Sequence, residues 1–513
     1  MELLYVFLSI ISIIWISKTL FNKKKNLPPS PFPCLPIIGH LYLVKSPLYR
    51  SLGKISDRYG PMLRLQFGTR PFFLVSSPAA IEECLTTNDI NFANRPHFLA
   101  GKYLGYNYTS LFWSDYGDHW RGLRRIATVE LLSSHRLQTL NAIRAEEVQL
   151  LVKRVHQSAM KDGTVEMKSM FFELMLNVLM MMIAGKRYYG DSSADMDEAQ
   201  SFKKLVKESF LVMESTDVSN YIPWLKWVVG NEMEKKMAAL GKRREEFMQS
   251  LIDENRRNRI MEKDDNKNHN FIEVLLKLQE SQPEYYKDEI IKGLMQVLLS
   301  GGSDTSSAAM EWTLSLLLNN PETLKKAQEE IDRYIGDEDR LINESDLSKL
   351  PYLRCIINES MRMHPPGPLV FHAAEKDCTV GGYHIPGGTI LLMNFWAMQN
   401  DPKNWEEPEK FKPERFVGLE GSKNVYNLLP FGAGRRSCPA ENLALKVVGL
   451  AVGTLIQCFE WERTSNDMID MSLGKGLTMT RAKPLLAKCQ PRGKMSNLLS
   501  ISIVKENINR YLQ

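Results

Sequence analysis

Apolar residues recur every three to four positions over most of the chain. That spacing predicts helices over 140–160, 199–213, 232–255, 286–319, 322–335, 347–363 and 440–457. Shorter strand-like runs fall near 62–76, 378–394 and 476–489. Helix dominates, so one large, mainly α domain with small sheets at its edge is expected. The polar run ENRRNRIMEKDDNKNHN, residues 254–270, reads as a solvated loop between helices rather than a domain boundary. No repeat returns at a fixed period.

The first residues break this pattern. Leu3 to Ile16 carries no charge, and with Lys18 snorkelling the apolar stretch reaches Phe21, long enough for one membrane span. A removed signal would have a positive start and a small-residue cleavage site, and neither is there. The cations Lys23 to Lys25 follow the span, which places the rest of the chain in the cytosol. LPPSPFPCLPIIGH, residues 27–40, is a stiff extended connector because proline cannot continue a helix. The expected order is an anchor at 1–21, a basic proline-rich hinge at 22–40, a catalytic body at 41–500 and a tail at 501–513.

Composition narrows the classes. The chain has 513 residues, 44% of them hydrophobic, enough for a large core. A net charge of +5 without an aromatic-interleaved basic block argues against nucleic acid as a partner. The seven cysteines are odd in number and contain no CxxC pair, which argues against a disulfide framework or a structural zinc site.

Three stretches carry candidate chemistry. SGGSDTSS, residues 300–307, sets two glycines inside a helical pattern, at about 1 kcal/mol each relative to alanine. Asp304 and Thr305 follow, so the stretch is either a proton-carrying site or a helix-packing contact. In RCIINESMRMHPP, Glu359 and Arg362 lie three apart on one helix face. They form either a minor surface pair or a buried network completed by Arg415 of FKPERF. In FGAGRRSCPA, residues 431–440, Arg435, Arg436 and the backbone amides, including that of Ala440, surround Cys438. Gly432 and Gly434 would let the backbone approach a flat ligand. Cys438 is either an anionic metal ligand or a buried inert thiol.

Taken in order and spacing, these motifs resemble cytochrome P-450, the haem-thiolate monooxygenases. The resemblance spans nearly the whole chain and includes Trp120 and Arg124 of WRGLRR. It tightens to plant microsomal enzymes of the isoflavone and phenolic hydroxylase subfamily through FGAGRRSCPAENLA, DCTVGGYHIPGGTILLMN and LTMTRAKPLLAKC. Two departures stand out. Ala440 occupies the family's glycine position, and Gly301 the commoner alanine.

The resemblance implies the cytochrome P-450 fold, a helical haem domain with small sheets, behind an N-terminal transmembrane helix in the endoplasmic reticulum. It implies haem b (iron protoporphyrin IX) with Cys438 as iron ligand and Phe431 in the same loop. Trp120, Arg124, His372 and Arg436 would hold the propionates. Asp304 and Thr305 would supply protons on the distal side, and Glu359, Arg362 and Arg415 would be structural. Electrons would come from NADPH through NADPH-cytochrome P-450 reductase, for which Arg121, Arg125, Arg435 and Lys446 form either a basic docking face or an ordinary solvated rim. The other expected partners are O2, membrane lipid and a small apolar or phenolic substrate. Phe112, Leu298, Val370, Phe371 and Met479 are pocket candidates, each with core packing as its alternative. The expected reaction is hydroxylation of a flavonoid, isoflavonoid or related phenolic. The alternatives are oxidative phenol coupling or ring closure, as of a benzophenone or lignan, and a non-catalytic membrane haem or lipid-binding protein.

Overall fold

The computed structural model describes residues 26–189, 196–214, 220–225, 227, 230–261, 270–336, 338–418, 425–474, 476–493 and 495. The expected anchor at 1–21 and tail at 501–513 lie outside the described residues. The principal helices are α1 Leu48–Tyr59, α2 Pro78–Leu85, α3 Asp118–Ile126, α4 Asn141–Asp162, α5 Met167–Ala184, α6 Met196–Glu214 and α7 Glu232–Met261. They continue with α8 Phe271–Ser281, α9 Asp288–Asn319, α10 Pro321–Ile335, α11 Pro351–Met363 and α12 Glu441–Cys458.

The strands are β1 Met62–Phe67, β2 Arg70–Val75, β3 Val165–Glu166, β4 Leu369–Ala373, β5 Cys378–Val380, β6 Tyr383–Ile385, β7 Ile390–Asn394, β8 Phe459–Arg463 and β9 Leu486–Pro491. Three small sheets result, ordered β1-β2-β7-β4, β3-β9-β8 and β5-β6. In the largest, β2 runs parallel to β7 (Phe72 opposite Ile390), and β4 antiparallel to it (Leu369 opposite Asn394).

α9 is the spine. It packs against α5, α12, α11 and α7, and the main apolar core gathers around it. Asp288 and Glu289 in its first turn complement the helix dipole. α5 and α12 are each apolar enough over 18 residues to cross a membrane, yet those stretches are 67% and 72% buried inside the protein, as core helices are.

Several expectations need correction. α7 continues to Met261, so half of the expected loop at 254–270 is helix. Polar residues there face solvent while Leu251, Ile252 and Asn255 are buried. α5 escaped detection because apolar residues on every side leave no period. The run at 476–489 is strand only from Leu486. Before it the backbone turns back to one isolated antiparallel bridge, Arg481 to Leu473, while Thr478, the Met479 carbonyl and Arg481 bond to side chains of α9. The run at 378–394 is three short strands, because Gly381, Gly382 and Gly388 turn at positive φ.

Candidate active site

The loop before α12 folds back on itself. The Cys438 N–H donates to the Phe431 carbonyl at 2.8 Å, which presents the sulfur between them and the start of α12. Gly432 and Gly434 take φ of 69° and 70°, a left-handed region that side chains disfavour. A Cβ on Gly434 would also lie 2.6 Å from Asp89 Oδ1. Burial pushes the Cys438 thiol up, while the Ala440 N–H and the nearby Arg124 guanidinium pull it down. The amide expected to address the sulfur therefore does so with alanine at position 440.

Arg124, on α3, donates to the Ser437 carbonyl at 2.6 Å. Arg436 donates to the carbonyls of Ala93 (2.7 Å) and Ser114 (2.5 Å), and its guanidinium stands 4.4 Å over the Trp120 ring. The Trp120 N–H is spent on the Leu111 carbonyl at 3.1 Å, so this indole serves as the floor beneath Arg436. Burial, with Arg95 and Arg124 close by, pulls Arg436 down to about 9. Arg95 joins the same group. It is buried, pulled down to about 10 by desolvation, and bonded to the carbonyls of Phe112 (3.2 Å) and Phe371. Sequence reasoning missed it; its only signal was an arginine within NFANRPHF.

His372, on β4, is 3% exposed and its Nδ1 has no hydrogen-bond partner. Burial, then Arg95 and Arg436, hold the ring well below its ordinary pKa, while the Phe92 backbone opposes this. The buried Arg95, the half-buried Arg124 and Arg436 and an orphan imidazole nitrogen thus gather in one place. The nearby carboxylate, Asp115, is half-exposed and pairs with His97 at 3.1 Å. A buried cation needs compensation. A flat group carrying carboxylates and a metal that takes a thiolate would fit this set of donors beside a thiol and a glycine cradle.

On α9 the two glycines divide the two readings between them. A Cβ on Gly302 would come within 2.9 Å of Leu179 on α5, so this glycine serves helix packing. A Cβ on Gly301 would meet nothing within 4 Å, so this one borders open space. Thr305 Oγ1 donates to the Gly301 carbonyl at 2.6 Å, one turn back. Asp304 Oδ2 accepts from Thr478 Oγ1 at 2.7 Å. Burial raises this carboxyl, and Thr478 and Lys168 oppose the rise.

Glu359 and Arg362 are both fully buried, 2.7 and 3.0 Å apart through two bonds. Arg362 also donates to the carbonyls of Gln399 (2.8 Å) and Pro408 (2.7 Å). Arg415 Nε and the Lys412 N–H each reach Glu359 Oε1 at 3.0 Å. The structure thus brings these three charged residues together behind the Cys438 loop.

The pocket candidates separate. Leu298 and Met479 are buried in or beside the core, and the Met479 backbone is held by Pro366 and Trp312. Val370 and Phe371 are neighbours on β4 and point to opposite faces, packing on different clusters. Phe112 is 43% exposed and lies under the Arg95 guanidinium at 4.6 Å. On the basic rim, Arg121 pairs with Asp118, Arg435 with Asp89 at 3.6 Å and Lys446 with Glu344 at 2.9 Å; Arg125 is exposed.

The cytochrome P450 family model matches residues 28–488. Cytochrome P450 81Q32 of Catharanthus roseus is 49% identical over 97% of this chain and 98% of its own. Isoflavone 3'-hydroxylase of Medicago truncatula is 45% identical over 94% and 96%. In fold alone, a zebra fish cytochrome P450 structure with abiraterone aligns at a TM-score of 0.73, covering 88% of this chain and all of that one at 23% identity.

Proposed function

The chain belongs to the cytochrome P450 family of haem-dependent monooxygenases, and we propose that it hydroxylates a plant flavonoid, isoflavonoid or related phenolic. The observation that carries the assignment of the site is the convergence of Arg95, Arg124, Arg436 and the unpartnered His372 nitrogen beside Cys438. The substrate class is supported by similarity to the isoflavone hydroxylase along nearly all of both chains.

When bound, haem would supply oxygen activation, which a thiolate ligand favours by donating electron density. The residues do the rest. Cys438 would hold the iron, steadied by the Phe431 carbonyl on its backbone and the Ala440 N–H on its sulfur. Arg95, Arg124, Arg436 and His372 would bind the propionates, with Trp120 setting the plane of Arg436. Burial favours a proton on Asp304, and the Thr478 hydroxyl fixes one of its oxygens. Thr305 has placed its own proton on Gly301, so its oxygen remains able to accept one. Asp304 and Thr305 thereby hold and pass protons at the edge of the open space beside Gly301. Glu359, Arg362 and Arg415 fix the core behind the loop.

Electrons reach the protein from NADPH through a membrane flavoprotein reductase in this reading. The apolar run to Phe21 and the lysines after it support the reading of an endoplasmic reticulum anchor with the body on its cytosolic side.

The test is co-expression with a plant reductase and a panel of phenolics, read by product mass. One added oxygen is expected, with NADPH consumed. Loss of two hydrogens would replace hydroxylation by oxidative coupling. Absence of any spin-state shift or turnover across the panel would overturn the substrate class.

A further inference from the structure

Arg244 lies mid-way along α7 and is 6% exposed. Its neighbours find partners: Arg243 pairs with Glu208 at 2.7 Å and Glu245 with Lys292 at 2.9 Å. Arg244 faces α9 instead, where it makes one long bond, 3.4 Å, to Ser300 Oγ, and no carboxylate among the described residues pairs with it. Burial pulls it down to about 10, with Tyr106 opposing, so it is charged at neutral pH. A guanidinium held out of water without a counter-charge is strongly unfavourable.

The groups beside it are also unspent. Tyr106 Oη and Ser110 Oγ are buried without partners. Both side chains pack over Gly293, where a Cβ would meet each of them at 3.7 Å. Gly293 and Ser300 are two turns apart on one face of α9. The polar strip they mark ends next to Gly301 and its open space. Tyr106, Asn107 and Tyr108 all sit at positive φ (52°, 51° and 63°), a strained run that keeps Tyr106 over α9.

We propose that Arg244, Tyr106, Ser110 and Ser300 form a polar subsite that takes an anionic oxygen of the substrate, a phenolate or carboxylate remote from the carbon oxidised. The guanidinium supplies charge and a fork of donors, and the hydroxyls complete the shell. Tyr106 remains a donor because burial pushes its hydroxyl up. The proposal rests on the preceding reading only for where the substrate lies, and it adds to the apolar pocket a requirement for an acidic group.

The test titrates the purified holoenzyme, by its Soret spin-state shift, with matched pairs. These are a hydroxycinnamic acid and its methyl ester, a hydroxylated isoflavone and its O-methyl ether, and a terpenoid carboxylic acid and its methyl ester. The acid or free phenol should bind about tenfold or more tighter than its blocked partner. Arg244→Gln should abolish that preference while leaving the ester and ether unchanged, and Arg244→Lys should restore part of it. Tyr106→Phe should reduce the preference a few-fold, and it decides the matter if Arg244→Gln does not fold. Equal binding within every pair by the native protein, or equal weakening of both members in the variants, overturns the subsite. If only the terpenoid pair responds, in an Arg244-dependent way, the subsite stands and the phenolic reading falls.

Discussion

Two sets of buried and half-buried arginines occupy the interior, and they are finished differently. Arg362 and Arg415 close on Glu359, and backbone carbonyls take up the remaining donors. Arg95, Arg124 and Arg436 find carbonyls but no buried carboxylate, and the nearby His372 nitrogen has nothing. A closed set holds a fold together. An open set leaves charge that, in the proposed function, the carboxylates of haem would meet. Sequence position does not separate the two, since all are arginines in helical or loop motifs; the presence of a buried carboxylate does.

Cys438→Ser should have the largest effect, on the open side. Turnover and the carbon-monoxide band of sulfur-ligated haem should both vanish while helical circular dichroism persists. A surviving band would mean that the open set does not serve a haem. Glu359→Ala strikes the closed side. It strands two guanidinium groups, so stability should fall by about 3–5 kcal/mol, read as loss of folded protein and faster thermal inactivation. If this variant matched the native protein in stability, the closed set would carry no structural weight.

Arg95→Ala should sharpen the contrast, since it removes a cation from a crowded group. Haem retention should fall about tenfold, with thermal stability of the body changing little, the reverse of the Glu359 pattern. The smallest effect concerns pH. His364 stacks on Trp312 at 4.0 Å, and burial, then Arg362, hold it down to about 3. The unfolded chain takes up this proton below about pH 6.5, whereas the folded one does not. Its contribution is therefore complete above that pH and is lost as pH falls from 6.5 towards 3, by up to about 1.4 kcal/mol per unit. Thermal midpoints at pH 7 and 5.5 should differ less in His364→Phe than in the native protein.

The long amphipathic helices and the motifs at 300–307, 359–362, 413–416 and 431–440 were readable because each carries a period or a fixed spacing. What escaped was whatever depends on chain segments meeting. Arg95 and Thr478 have no local signature, and only folding sets them beside Arg436 and Asp304. Trp120, expected to hold a propionate, donates its indole N–H to the Leu111 carbonyl, a contact that only folding makes. Val370 and Phe371, each open to pocket lining or core packing from sequence, point to opposite faces because a strand alternates its side chains. The roles of Gly301 and Gly302 could not be divided without knowing that Leu179 stands opposite one of them.

The apolar helix α5 has a consequence in time. Its 18 residues are covered chiefly by α9, which begins at Asp288, far downstream of Ala184. At about 5–20 residues per second, the ribosome leaves it uncovered on the order of ten seconds. Through that interval the nascent chain carries a greasy rod whose proper lid has not been synthesised. Aggregation, or capture by a chaperone, competes with folding most strongly before the central helix emerges.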